Sequence, residues 1–487
     1  MVLMSGRVLG FMAAFIIPIV LARVFDQLDF GTYKQLFLVY TTLFGLAQLG
    51  MAESLYYFLP FESKKGGRYV LNAWLVMAGA GLACLLILTS QAEQVAALLN
   101  NESVIRFLPY IGLYLLFMLM SVMLEIVMTV RREHVSASVS YALSDLLRAC
   151  LYIMPVLFIA DLEWLMTGAL LFAVVRFCFT VVYLARSFGF SGLQLDKPVL
   201  KQHLAYALPF GLAGFIEILQ LNFHMYAVAY RFDPVTFAIY AVGCLQVPLI
   251  DILMTSTSNV MMVNMRRQLR EKRPAAVLAI WLDSVRKLAL VLFPLISLLL
   301  VVAPVLIVLL FTSAYADSVP VFMVWTASSA MVCLLTDGVL RVYADNRYLI
   351  FQNLIRLAII ASLIHWFIDQ YALIGAVMVT TFATVVIKIM ALFRISRWMN
   401  VGLIKLLPWR SLLLTLLASG GAALPALWFL HELELPSIVL LAVVSFIYLF
   451  AYAALLLLFG VMEHDERREL KNRTLVPVAR LWRSLNG

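Results

Sequence analysis

Charge is what this sequence has little of. Of its 487 residues, 13% are Asp, Glu, Lys or Arg, 64% are hydrophobic, and the mean hydropathy is +0.98. A soluble globular chain carries about 25% charged and roughly 45–50% apolar residues. Half the usual charge cannot cover a water-facing surface, so the medium around this chain is lipid. A soluble enzyme, a secreted disulfide scaffold and a disordered protein are all excluded. Cysteine is sparse as well. Cys84, Cys150, Cys178, Cys244 and Cys333 each lie in an apolar stretch, without a CxxC pair or metal-ligand spacing. Neither disulfides, a metal nor a cofactor is indicated, and helix packing accounts for these residues. GxxxxGK[ST], HExxH, GxSxG and TVGYG are missing too, which leaves no sign of ATP hydrolysis, zinc or serine hydrolysis, or a selectivity filter. No small-residue cleavage site follows the first apolar segment, so that segment is expected to stay as a helix.

What is present is a succession of long apolar runs. A membrane-spanning helix needs about 20 such residues. About fourteen spans are predicted, near 4–23, 35–59, 70–90, 109–130, 138–160, 165–186, 205–229, 236–265, 288–312, 320–343, 348–368, 372–394, 411–430 and 437–460. Lys and Arg are uneven across the connections. With the N-terminus inside, about 27 fall in inside loops and the tail, including Arg131, Arg132, Arg266, Arg267, Arg270 and Arg273, against about four outside, Arg23, Lys34, Arg106 and Arg231. Cytoplasmic loops carry this excess. The net charge of +9 is therefore read as an orientation signal and not as a nucleic-acid footprint. The stretch 266–273 also suits anionic lipid headgroups, although a solvated loop explains it as well. No predicted loop is long enough for a nucleotide-binding or catalytic domain.

The chain also repeats itself. Ala22, Phe25, Asp26, Phe30 and Tyr33 meet Ala229, Phe232, Asp233, Phe237 and Tyr240 at a shift of 207 residues. Trp74 meets Trp281 at the same shift, Arg148 meets Arg356 at 208, and Glu125 meets Asp337 at 212. Coincident Asp, Tyr and Trp are informative where Leu and Val are not. The expected fold is therefore an all-α polytopic membrane protein. Two parallel six-helix repeats, spans 1–6 and 7–12, enclose a central cleft, and two C-terminal helices follow. The corresponding divisions are an N-terminal bundle at 1–186, a cytoplasmic linker at 187–204, a second bundle at 205–394, helices 13 and 14 within 395–460, and a basic cytoplasmic tail at 461–487. Parallel repeats related by an axis along the membrane normal recur in secondary transporters, where one bundle rocks against the other.

Ionisable groups inside spans are costly and are functional candidates by default. Arg148 and Arg356, as repeat equivalents, could clamp phosphate oxygens across the cleft. The alternative for Arg148 is a local pair with Asp145, three residues back on the same helix face. Arg176 and Arg7 are further cationic candidates. Glu217 and Asp251, with His224 seven residues after Glu217, are candidates for carrying a driving proton or cation, or for a structural hydrogen bond. Asp337 and Arg341 read as a structural pair, and Asp26 and Asp233 as helix caps. Pro209 and Pro248 are expected to bend their helices.

These pieces match a family. Leu21-Ala22-Arg23, then Asp29-Phe30-Gly31-Thr32-Tyr33, Leu208-Pro209-Phe210-Gly211, Phe237 to Gly243 and Ala314 to Pro320 follow in order along the chain. With them the chain resembles the polysaccharide transporters of the MOP (multidrug/oligosaccharidyl-lipid/polysaccharide) exporter superfamily, in particular the bacterial O-antigen-type flippases. Asp29 stands where that family usually has Glu. The resemblance implies a transporter, not an enzyme, in the bacterial inner membrane. It implies movement of undecaprenyl-diphosphate-linked sugars between leaflets through a cationic cleft, with lipid tails left in the bilayer and proton or sodium antiport as driving force. Polysaccharide polymerase machinery is a candidate partner. Rival readings are a drug or metabolite antiporter of the same superfamily, a membrane-embedded polymerase or ligase, and a scramblase or scaffold.

Overall fold

The computed structural model describes residues 15–61 and 66–461, and all regular structure in them is helical. The first half runs through α1 (Phe15–Val24), α2 (Gln27–Ala47), α3 (Met51–Phe61), α4 (Gly66–Ser90), α5 (Ala92–Leu98), α6 (Leu108–Ser121), α7 (Leu124–Val130), α8 (His134–Phe158) and α9 (Leu162–Gly192). The second half continues with α10 (Lys197–Arg231), α11 (Pro234–Gly243), α12 (Pro248–Arg270), α13 (Pro274–Phe311), α14 (Ser318–Ser328), α15 (Thr336–Val342) and α16 (Asn346–Met399), then α17 (Trp409–Glu432) and α18 (Ser437–Phe459). Among the described residues 11 helices are long and apolar enough to cross a membrane, or 12 if α11 and α12 form one broken span. The predicted fourteen is not reached by that count. Two reasons are visible. The first span is described only over Phe15–Val24, and α16 is one 54-residue element. At 1.5 Å per residue α16 is about 80 Å long, more than twice a bilayer core of about 30 Å. Ala372, at φ 48 and ψ −132, breaks it between the two spans predicted there.

Capping residues fix where several helices start. Asp26 and Asp233 both sit in extended backbone and accept a hydrogen bond from the N–H three residues on, Asp29 at 2.8 Å and Thr236 at 2.7 Å. Each satisfies one donor that a helix start leaves orphaned. The two repeat copies thus open the same helix with the same device. Asp196 caps α10 likewise, with Pro198 in its first turn. That helix consequently runs through 197–204, residues expected to be linker. Spans 2, 4, 8 and 10 are each broken: α2/α3 at Gln48–Gly50, α6/α7 at Val122–Met123, α11/α12 at 244–247 just before Pro248, and α14/α15 around Leu335, which is left-handed at φ 50. The breaks in spans 4 and 10 differ by the 212-residue shift of their sequences.

The chain forms two compact units. The larger holds residues 1–248, 310–324 and 346–387, of which 1–14 and 62–65 are outside the described residues. In it Met51, Leu55, Tyr69, Ala73, Leu115, Leu119, Val127 and Ala207 build a core shared by α3, α4, α6, α7 and α10. At the end of this unit that bears Asp26 and Asp233, elements of both sequence halves are joined. Arg23 donates to the Leu310 carbonyl at 3.0 Å, Gln27 to that of Ala314 at 2.5 Å, and Asn100 to that of Phe232 at 3.3 Å. The rings of Phe30 and Tyr315 meet edge to face at 5.6 Å. Gly31 lies against the Pro234 backbone so closely that a Cβ there would collide with it.

The smaller unit holds residues 249–309, 325–345 and 388–487, of which those beyond 461 are outside the described residues. Its core is α13 with α17 and α18. Leu440, Val444, Tyr448, Tyr452 and Leu456 form a buried stripe at four-residue spacing against Ala418, Ala422 and Ala426. Small residues let membrane helices approach closely, and the interhelical bonds of Tyr452 to the Leu290 carbonyl and Ser297 to the Ser419 carbonyl fasten the contact.

Candidate functional site

Arg148 projects from the middle of α8. Its Nη2 donates to Asp145 Oδ1 at 2.7 Å, the i,i+3 pair the spacing allows. The two side chains remain 27% and 25% exposed, so the pair is not shut off. Behind it stand tyrosines from three helices. Tyr152 donates to the Tyr114 hydroxyl at 2.9 Å, and the Tyr40 and Tyr114 rings are 4.7 Å apart. Tyr33, Tyr40, Tyr114 and Tyr152 all lie within electrostatic reach of the Arg148 guanidinium. A cation on the edge of a buried phenol cluster is oriented without being neutralised by it. Arg148 therefore keeps N–H groups to offer an anion beside Asp145.

Arg176, on α9, is held differently. Its Nη2 makes a two-pronged bond to Glu125, at 2.9 and 2.8 Å, and its Nη1 donates to Ser144 at 2.5 Å. Ser140 adds a bond to the same carboxylate at 3.0 Å. Glu125 is 2% exposed. A guanidinium held by two bonds to a buried carboxylate ties α7 to α9. The second copy repeats the arrangement at the same 212-residue shift. Lys388 donates to Asp337 at 3.0 Å and to Thr336 at 2.9 Å. In each copy the carboxylate sits just past the break of the fourth span and the cation on the sixth. Asp337 thus pairs with Lys388, 51 residues away, and not with Arg341 as the i,i+4 spacing suggested.

In the larger unit, His224 of α10 shares a 2.6 Å hydrogen bond with the Tyr240 hydroxyl, both side chains being buried. Arg356 lies within electrostatic reach of that histidine. Tyr240 is the repeat equivalent of Tyr33, and Arg356 that of Arg148; Arg148 lies within electrostatic reach of Tyr33 itself, Arg356 within reach of the histidine bonded to Tyr240. Glu217 is exposed two turns before His224 on a similar face of α10, and no hydrogen bond or ion pair among the described residues holds it. Asp251 is exposed in the first turn of α12 and belongs to the smaller unit. Of the six described candidates, the larger unit holds Arg148, Arg176, Glu217, His224 and Arg356. Arg7 lies outside the described residues.

Residues 20–320 match the model of a family described as polysaccharide biosynthesis protein. The chain belongs to that family. Its fold is that of transporters of the MOP superfamily. The inward closed conformation of the lipid II flippase MurJ aligns with a TM-score of 0.72 at 11% identity, covering 93% of this chain and 98% of that one. An inward-facing multidrug resistance MATE family transporter of the MOP superfamily aligns at 0.61 and 12% identity, covering 80% and 95%. A MOP superfamily transporter from Pyrococcus furiosus aligns at 0.57 and 12% identity, covering 82% and 94%. No curated protein matches the chain.

One cation of this polysaccharide biosynthesis protein escaped the sequence reading. Lys34 counts there as an outside-loop residue. Asp26 caps α2, however, so Lys34 lies two turns inside a spanning helix. Its ammonium stands 5.4 Å from the Phe30 ring centroid and 5.7 Å from that of Tyr33. Among the described residues no carboxylate pairs with it. A cation at the centre of a membrane helix costs about 2.5–3.5 kcal/mol on insertion. Cation–π contact returns about 0.5–2 kcal/mol. The rings offset part of the cost and leave the charge uncompensated. The signal was available, because reading Asp26 as a cap already implies a helix through position 34.

Proposed function

We propose that this multi-pass membrane protein is a flippase. It carries an undecaprenyl-diphosphate-linked oligosaccharide from the cytoplasmic to the periplasmic leaflet of the bacterial inner membrane, for surface polysaccharide assembly. The observation that carries the reading is the pair of repeat-equivalent arginines, Arg148 and Arg356, each inside an apolar span, in a chain of a polysaccharide biosynthesis family. A diphosphate cannot cross hydrocarbon unaided, since the Born cost of burying one small ion is of order 20 kcal/mol. Guanidinium groups in a wet passage lower that barrier and match phosphate oxygens two at a time. Two six-span bundles rocking about the passage expose it to each side in turn. The excess of Lys and Arg in one set of loops supports a cytoplasmic position for both termini. The end where the two sequence halves join is then the periplasmic gate, closed.

Glu217, His224 and Asp251 are the proposed coupling groups for a proton or sodium ion. Polymerase machinery would take the product. The test is export of surface polysaccharide from cells carrying Arg148→Ala, Arg356→Ala and the double variant, at matched membrane levels. Each single change is expected to lower polymer about tenfold, the effect of losing about 1.4 kcal/mol of binding. Lys at either position restores part of it, keeping the charge but not the planar fork. Wild-type polymer in the double alanine strain would rule the clamp out. A drug-susceptibility panel on the same strains separates this reading from the antiporter suggested by the MATE-like fold.

A further inference from the structure

Three cations in the spans have a carboxylate at hand: Arg148 has Asp145, Arg176 has Glu125 and Lys388 has Asp337. Among the described residues Lys34 has no carboxylate and meets the faces of Phe30 and Tyr33. Tyr33 is also within electrostatic reach of Arg148. Lys34 is a feature of the first copy alone, because its repeat equivalent is Ala241. It also heads a polar track. Lys34 and Thr41, seven residues apart, lie on one face of α2, Gln48 follows at the same interval as its C-cap, and all three are at least partly exposed. The neighbouring face, with Leu38, Thr42 and Gly45, packs against α10 through Tyr226, Asn222 and Ile218. The track borders the helix contact. It runs from the joined end of the unit down the length of α2.

We infer that Lys34 is an anion-binding residue of the pathway, taking anionic oxygen from the substrate in a hand-over with Arg148. Resting on the flippase reading, the inference extends it to a second cationic station with its own chemistry. A point-like ammonium needs no planar fork in its ligand, so either a phosphate or the carboxylate of an acidic sugar fits it. Its ring contacts hold the charge while it is empty and yield to a full negative charge when one arrives.

The experiment uses purified full-length protein and two fluorescent probes, an undecaprenyl-diphosphate bearing a neutral trisaccharide and one whose trisaccharide ends in a uronic acid. Binding is measured for wild type, Lys34→Met, Lys34→Arg and Arg148→Ala over a salt series. Lys34→Met is expected to weaken binding about tenfold and to flatten the salt dependence, while Lys34→Arg stays within about threefold of wild type. Weakening of both probes identifies phosphate as the group Lys34 holds, and weakening of the acidic probe alone identifies the carboxylate. Elution profile and thermal melting establish that each variant is folded. If Lys34→Met binds both probes like wild type while Arg148→Ala does not, Lys34 is no binding residue and the flippase reading stands. If wild type binds neither probe, the flippase reading fails and this inference with it.

Discussion

Glu125 and Arg176 set the cost of a single atom change in this membrane interior. The carboxylate is 2% exposed and accepts from both the guanidinium and Ser140. Removing one partner of a buried pair leaves the other uncompensated, a loss of about 3–5 kcal/mol. Glu125→Gln is therefore expected to lower the melting temperature of the detergent-solubilised protein sharply, and Glu125→Gln with Arg176→Gln to recover most of it. An unchanged melting curve for the single variant would show that the pair carries no stability. Its repeat mate makes the contrast. The Asp337 side chain is 58% exposed, so Asp337→Asn is expected to cost less than Glu125→Gln. Residue-level legibility follows the same line. Arg148 with Asp145 is a contact within one helix turn and can be seen in the spacing. Arg176 with Glu125 and Lys388 with Asp337 join residues 51 apart, and only the fold brings them together. The sequence repeat held half the clue, since Glu125 and Asp337 keep one shift, but the Arg-to-Lys exchange at 176 and 388 hides the other half from a search for identities.

At the scale of helices, boundaries depend on caps and breaks more than on apolar content. Asp26 and Asp233 were legible as caps because Asp at a helix start has a specific use for its oxygen. Asp196 followed by Pro198 is an equally good start signal, yet the polar run around it read as linker, and α10 begins there. The breaks of spans 4 and 10 were not legible. Val122, Met123 and Leu335 are ordinary apolar residues, and Leu335 is left-handed through its tertiary setting. Gly31 is the element-level position most exposed to test. The first turn of α2 meets the backbone at the start of α11 there, with no room for a side chain. Gly31→Val is expected to reach the membrane in normal amount and to lose transport several-fold, because the tips of α2 and α11 can no longer close. Full activity in that variant would mean that this approach plays no part in the cycle.

For the molecule as a whole, composition and repeat were enough to read an all-helical membrane fold with a duplicated plan. They did not reveal the two compact units, which cut across the sequence halves. That division depends on which helices share a core, and an apolar run looks alike whether it faces lipid or protein. Orientation remains a matter of loop charge, and it has a direct test. Alkaline phosphatase joined after Asn101 is expected to be active, and joined after Arg270 inactive. The reverse pattern would invert the direction of flipping proposed above. The joined end of the larger unit carries one more consequence. Arg23 and Gln27 reach across to main-chain oxygens, at Leu310 and Ala314, that every amino acid provides. Mutational drift at 310 and 314 thus leaves these two bonds untouched, whereas drift at 23 or 27 removes them. The latch is heritable through one of its two strands alone.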